Sequence, residues 1–237
     1  MDGKSSLDVN VNMKVEITDK QLVLLPADGN YKYCLVFLHG LGMTVQKFFN
    51  FFLCEEMINL LTDFKIILPQ APIVPVTIEK RSTFSWFNVI ERKFGKPFDE
   101  IFGRQEIIDN GKFIAELIDQ EAKALGGDYS KVFLGGFSQG CAMSLYVGLS
   151  LPQKLGGIIA YAGYHFEIAS EIPDDRNVLV IHGDNDKIRP WNQVEPTYEP
   201  LKNKENVKFL MYKGMGHDLY CDEARKNVYE YIRERCK

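Results

Sequence analysis

Short, almost wholly apolar runs alternate along the chain with longer segments in which apolar residues recur every three or four positions. The runs at 33–38, 65–68, 131–134, 157–161, 177–181 and 207–212 are rich in β-branched and aromatic residues. Few polar positions interrupt them, which predicts strands covered on both faces. Between them, 45–61, 106–125, 139–150, 191–202 and 222–235 carry the spacing of amphipathic helices. In the second of these, Ile107, Ile108, Phe113, Ile114, Leu117, Ile118 and Ala122 keep to one broad stripe, and Gly126-Gly127 ends it. Segment 15–25 supplies earlier antiparallel strands at one edge. This alternation predicts an α/β fold, with a mostly parallel central sheet and helices on both faces. No repeat or linker divides the pattern. One domain over 13–237 is therefore expected, after a polar, flexible tail at 1–12. The longest stretch without clear periodicity, 71–102, exceeds a simple connection and is a candidate functional loop.

Composition narrows the class. With 237 residues, 46% hydrophobic and 25% charged, the chain can bury a sizeable core. A formal charge of −4 without a long basic run excludes nucleic acid as a partner and argues against strong attachment to anionic membranes. No apolar run reaches the length of a membrane span, and the N-terminal residues lack the apolar stretch of a signal peptide. The five cysteines are odd in number, widely spaced and without a CxxC pair. They fit reduced thiols in the cytoplasm, not a disulfide framework or a zinc site.

In open α/β sheets, sites form at the carboxyl ends of the strands. After the run at 131–134 comes Gly135-Gly136-Phe137-Ser138-Gln139-Gly140, followed by a helical segment. This is G-x-S-x-G between strand and helix: the serine needs a tight turn, and the glycines let strand and helix approach. With 19 Gly in 237 residues, chance produces the string roughly 0.06 times per chain, so its setting makes Ser138 a strong candidate nucleophile and a mere N-cap the weaker reading. A serine hydroxyl needs a histidine base held by a carboxylate, in the chain order Ser, acid, His. Of four histidines, His39 precedes the serine, His182 precedes the acids of its own loop, and no strand-end carboxylate lies between Ser138 and His165. His217, in Gly214-Met215-Gly216-His217, satisfies the order. The acid comes from His182-Gly183-Asp184-Asn185-Asp186, where spacing leaves Asp184 and Asp186 both open.

At these residues the chain resembles the acyl-protein thioesterase/carboxylesterase family of α/β-hydrolases, which includes small lysophospholipases. The matching segments are Phe37-Leu38-His39-Gly40-Leu41-Gly42, Pro69-Gln70-Ala71-Pro72 with Pro75-Val76-Thr77, Ser85-Trp86-Phe87, the Leu134–Gly140 segment around the serine, His182–Asp186 and Gly214–His217. They run in family order over almost the whole chain beyond residue 30. The resemblance implies an α/β-hydrolase fold and makes the second aspartate, Asp186, the triad acid. It also places the oxyanion donors on the backbone N–H groups of Leu41 and Gln139. It implies no metal or organic cofactor. The implied substrates are S-acylated proteins, with lysophospholipids or small esters as alternatives, met by a monomer or weak dimer that touches membranes transiently. Departures occur at Met43-Thr44-Val45, Glu79-Lys80-Arg81 and Asn88. They bear on substrate preference and the entrance, not on the triad.

An acyl chain needs an apolar surface near the serine. Ile73, Val76, Phe84 and Trp86, with Val74, Pro75 and Phe87, are the expected wall of an acyl groove; alternatively Trp86 and Phe87 pack the irregular segment onto the domain. Cys141, one helical turn beyond Ser138, is expected to be a buried, inert thiol. A non-catalytic binding protein on the same fold would lack a triad member or block the oxyanion loop, and neither is seen.

Overall fold

A computed structural model describes residues 13–60, 62–92, 94–166 and 172–236. The expected flexible tail at 1–12 lies outside the described residues. In chain order the strands are β1 (Met13–Ile17), β2 (Gln21–Pro26), β3 (Tyr33–Leu38), β4 (Phe64–Pro69), β5 (Ile73–Val76), β6 (Arg81–Phe84), β7 (Val132–Phe137), β8 (Gly157–Tyr161), β9 (Val178–Gly183) and β10 (Val207–Tyr212). The helices are α1 (Val45–Phe49), α2 (Glu55–Leu60), α3 (Phe98–Ile101), α4 (Arg104–Ala124), α5 (Gln139–Ser150), α6 (Trp191–Val194) and α7 (Asp222–Arg233).

Eight strands form one sheet in the order β1-β2-β4-β3-β7-β8-β9-β10. Pairing is antiparallel for β1 with β2 and β2 with β4, and parallel from β4 across to β10. The central strands β3, β7, β8 and β9 are buried along their whole length. Side chains alternate between two cores, as the two-residue period of a strand requires. Val36, Leu38 and Leu134 join α4 and α5 on one face. Leu35, Phe37 and Phe133 join α1, α2 and α7 on the other. Ion pairs such as Arg233 with Asp63 at 2.8 Å tie helix ends to the sheet's margin.

Two expected helices differ from the pattern. The segment at 45–61 breaks into α1, a 3-10 turn over Asn50–Phe52, and α2. There Phe48, Phe51 and Phe52 all close on Phe37, at centroid distances of 5.5, 5.5 and 5.7 Å, so tertiary packing overrides helical continuity. The segment at 191–202 is helical only to Val194 and continues as a 3-10 turn through Glu195–Leu201. Pro196 and Pro200 lack the N–H groups that an α-helix would use. The irregular segment at 71–102 contains the β5–β6 hairpin and α3, and it lies over the carboxyl ends of β3 and β7.

Candidate active site

Ser138 follows β7 at the turn into α5, with φ 55° and ψ −110°. A non-glycine residue pays strain for such a backbone, and here the turn is held from both sides. The Ser138 N–H donates to the Tyr161 carbonyl of β8 at 2.9 Å. A Cβ on Gly136 would stand 2.2 Å from the Gly140 carbonyl oxygen, and one on Gly140 would stand 2.2 Å from that of Leu38. The two glycines of the string therefore serve the close crossing of strand, turn and helix. The turn presents the hydroxyl beside the start of α5, where free N–H groups favour negative charge.

The loops after β9 and β10 bring the other two groups. His217 Nε2 lies 2.9 Å from Ser138 Oγ, and His217 Nδ1 lies 2.7 Å from Asp186 Oδ2. The second carboxylate oxygen, Asp186 Oδ1, accepts the N–H groups of Ile188 and Arg189 at 2.8 and 2.7 Å. Burial works against ionisation of Asp186, but the hydrogen bonds from His217 and the Arg189 N–H outweigh it and hold the carboxyl below its ordinary value. Asp184 does something else: its Oδ1 accepts the Gly214 N–H at 2.6 Å and ties the β9 loop to the loop that carries His217. Geometry thus separates two aspartates that spacing alone could not. His182 Nε2 donates to the Arg189 carbonyl at 2.7 Å, and burial lowers its pKa.

The opposite wall is the turn after β3. His39 is fully buried, with Nδ1–H donating to the Gly40 carbonyl at 2.7 Å. Its Nε2 accepts from the Ala71 N–H at 3.0 Å and Gln70 Nε2 at 2.8 Å. Burial pulls its pKa down to about 4 and keeps the imidazole neutral. Gly42 N–H donates to the Phe84 carbonyl at 2.8 Å, and Trp86 Nε1 donates to the His39 carbonyl at 2.9 Å. The Gln139 amide completes this wall. Its Oε1 accepts the Trp86 N–H at 3.0 Å, while its Nε2 donates to Ser85 Oγ and the Phe87 carbonyl, both at 2.8 Å. Leu41 and Gln139 line one cleft of about 250 Å³ with Ser138 and His217.

The lining of that cleft differs from the acyl groove expected from the sequence. Ile73, Val76, Phe84 and Trp86 are not among its lining residues; the tip of the β5–β6 hairpin, with Ile78, Glu79 and Arg81, and Val89 are. Trp86 and Val76 are buried in the core, and the indole packs on His39. Ile73 stands 63% exposed at the open end of the hairpin, and Phe84 contributes its carbonyl to the turn after β3. Sequence reasoning marked Glu79-Lys80-Arg81 as bearing on the entrance, and Glu79 and Arg81 do border the cleft, but it missed the side-chain role of Gln139 and the cleft arginines Arg92 and Arg189. A buried-type amide directly after the nucleophile was the available signal for the first; Arg92 and Arg189 had none. Cys141 is buried, and burial pushes its thiol up to about 12. No cluster of three or more His, Cys, Asp or Glu side chains among the described residues is placed to hold a metal ion.

Known proteins bear on this geometry. An acyl-protein thioesterase 1 of Schizosaccharomyces pombe is 36% identical over 212 residues, covering 84% of this chain and 89% of that one. One from Neurospora crassa is 30% identical over 227 residues, covering 90% and 91%. Among solved structures, Arabidopsis thaliana SOBER1 superposes with a TM-score of 0.72 at 27% identity, covering 86% of this chain and 99% of that one. Zea mays acyl-protein thioesterase 2, at 22% identity and a TM-score of 0.69, covers 91% and 98% and shares the fold. The fold is that of the α/β-hydrolases. The residue pattern of the phospholipase/carboxylesterase family matches residues 20–235, and the chain belongs to that family.

Proposed function

We infer that the protein is a serine hydrolase of acyl thioesters and esters, acting as an acyl-protein thioesterase that removes S-linked fatty acyl groups from proteins. The observation that carries this reading is the unbroken hydrogen-bonded line from Asp186 through His217 to Ser138. The relatives named acyl-protein thioesterase, matched over most of the chain, support the thioester substrate. In the cycle, His217 Nε2 takes the Ser138 proton as Oγ attacks the carbonyl carbon. Asp186 holds the Nδ1–H tautomer and stabilises the imidazolium. The Leu41 and Gln139 N–H groups receive the oxyanion, a type of donor worth about 3 kcal/mol each in serine hydrolases. The C–S or C–O bond then breaks and the leaving thiol or alcohol takes the proton from His217. Water, deprotonated by His217, attacks the acyl-serine and releases the acid.

We place this activity on one domain spanning 13–237, in the cytoplasm, as a monomer or weak dimer that meets membranes through its acylated substrates. The five free cysteines support that compartment. Among the described residues no helix is long and apolar enough to cross a membrane. The test is a panel of S-acyl peptide, lysophospholipid and short p-nitrophenyl ester, each with wild type and Ser138→Ala. The alanine variant should lose at least about 10⁴-fold in kcat on every substrate that is cleaved. Full activity in that variant would sink the reading, and the relative rates rank thioesterase against lysophospholipase and carboxylesterase.

A further inference from the structure

Three arginines and one carboxylate border the cleft over Ser138: Arg81, Arg92, Arg189 and Glu79. Glu79 is shared, at 2.8 Å from Arg92 Nη2 and 3.9 Å from Arg81 Nε. Arg189 is only 8% exposed, yet among the described residues it pairs with no carboxylate. Its Nη1 donates to the Arg92 carbonyl at 3.3 Å, its Nε has no partner, and its guanidinium rests on the Tyr164 ring at 4.9 Å. A buried cation without a counter-charge is costly unless an anion completes it. The Asp186 carboxylate does not serve, because its oxygens are taken by His217 and two backbone N–H groups.

We propose that Arg189, with Arg92 and Arg81 beside it, receives a carboxylate or phosphate carried by the substrate's leaving group next to the scissile bond. The inference rests on the serine-hydrolase reading above. A fatty acyl chain bears no charge of its own, so the anion belongs to the thiol or alcohol half. Guanidinium groups suit this task, since their planar donors match the oxygens of both anions. Arg81 sits on the hairpin tip with its side chain 65% exposed, where it meets an incoming anion first. Arg189 receives that anion deeper in the cleft, beside the loop of Asp186.

The test uses octanoyl thioesters of mercaptopropionate, mercaptopropanol and aminopropanethiol, with mercaptoethyl phosphate to separate phosphate from carboxylate. Each is assayed with wild type, Ser138→Ala, Arg81→Glu and Arg189→Gln. The quantity read is the ratio of kcat/KM for anionic over cationic thioester within each protein, so differences in leaving-group reactivity and overall rate cancel. Relative to wild type the ratio should fall about tenfold in Arg81→Glu at low salt, and added salt should narrow it in wild type. Arg189→Gln should lower it as well. Should that variant fail to fold, Arg81→Glu and the salt series still decide. An unchanged ratio in the variants and across salt overturns the proposal. Failure of wild type on the neutral thioester, or full activity on it in Ser138→Ala, strikes the serine-hydrolase reading and this proposal with it.

Discussion

The two walls of the cleft are built on different physics. On one side, the loops after β9 and β10 are joined by a charge: Asp186 binds His217 and two backbone N–H groups, and Asp184 clamps Gly214. On the other, the turn after β3 is held by neutral groups: a buried imidazole, two amides, an indole and a serine hydroxyl. In the proposed reaction the charged wall moves a proton and needs a group that stays ionised. In that proposal the neutral wall only has to hold N–H donors still, and a buried neutral network does so without the desolvation penalty of a charge.

The sharpest way to break this comparison lies within the charged wall. Asp186→Asn keeps the shape but removes the charge and lets His217 adopt the wrong tautomer, so kcat should drop by about 10⁴-fold. Asp184→Asn still offers an oxygen to Gly214 and should lose less than about tenfold. Steady-state hydrolysis of one ester by both variants checks the pair. Equal losses would mean that the geometry misassigns the acid.

Legibility in the sequence follows the same division. Strands such as 33–38 and 157–161 were readable to the residue, because burial on both faces leaves uninterrupted apolar runs. The tight turn at Ser138 was readable because its constraints are local: the two glycines and the serine lie within five positions. Asp186 and His217 required chain order and a family resemblance, since their meeting spans 31 residues. The neutral wall was hidden. Gln139 finds its partners 52 to 54 residues earlier in the chain, and nothing local marks Ser85, Trp86 and Phe87 as those partners. The acyl wall was misplaced for a related reason. Apolar composition marked 73–87 within the irregular segment at 71–102, but not that the Trp86 indole turns inward onto His39.

The neutral wall makes its own prediction. Gln139→Ala retains the backbone N–H at the cleft but strips the Trp86 N–H of its buried partner and leaves the Phe87 carbonyl with the Ser85 hydroxyl alone. Stability should fall by about 3 kcal/mol, read as a shifted urea midpoint with an unchanged slope. The KM for a short ester should change little, while kcat falls as the turn after β3 loosens. A variant as stable as wild type would show that Gln139 is not structural support for that wall.

The smallest expected effect separates the walls by pH. His39 has an ordinary value of 6.5 and is drawn down to about 4 by burial, and His165 is shifted alike. Below pH 6.5 the unfolded chain binds protons that the folded one refuses, so stability drops as pH falls and levels off only near pH 4. Asp186 behaves in the same sense but in a lower window: its carboxyl lies below 3.8 in the folded state, so its contribution is intact above that pH and lost only beneath it. Between pH 7 and pH 5, His39 and His165 should therefore each cost about 2 kcal/mol, while the Asp186 carboxylate loses nothing. Urea unfolding at the two pH values, in wild type and in His39→Gln, isolates the share of the neutral wall. The glutamine variant should be less stable at pH 7 yet lose less on acidification. Equal acid losses in the two proteins would show that His39 is not held neutral by its burial, and the division between the walls would fail there.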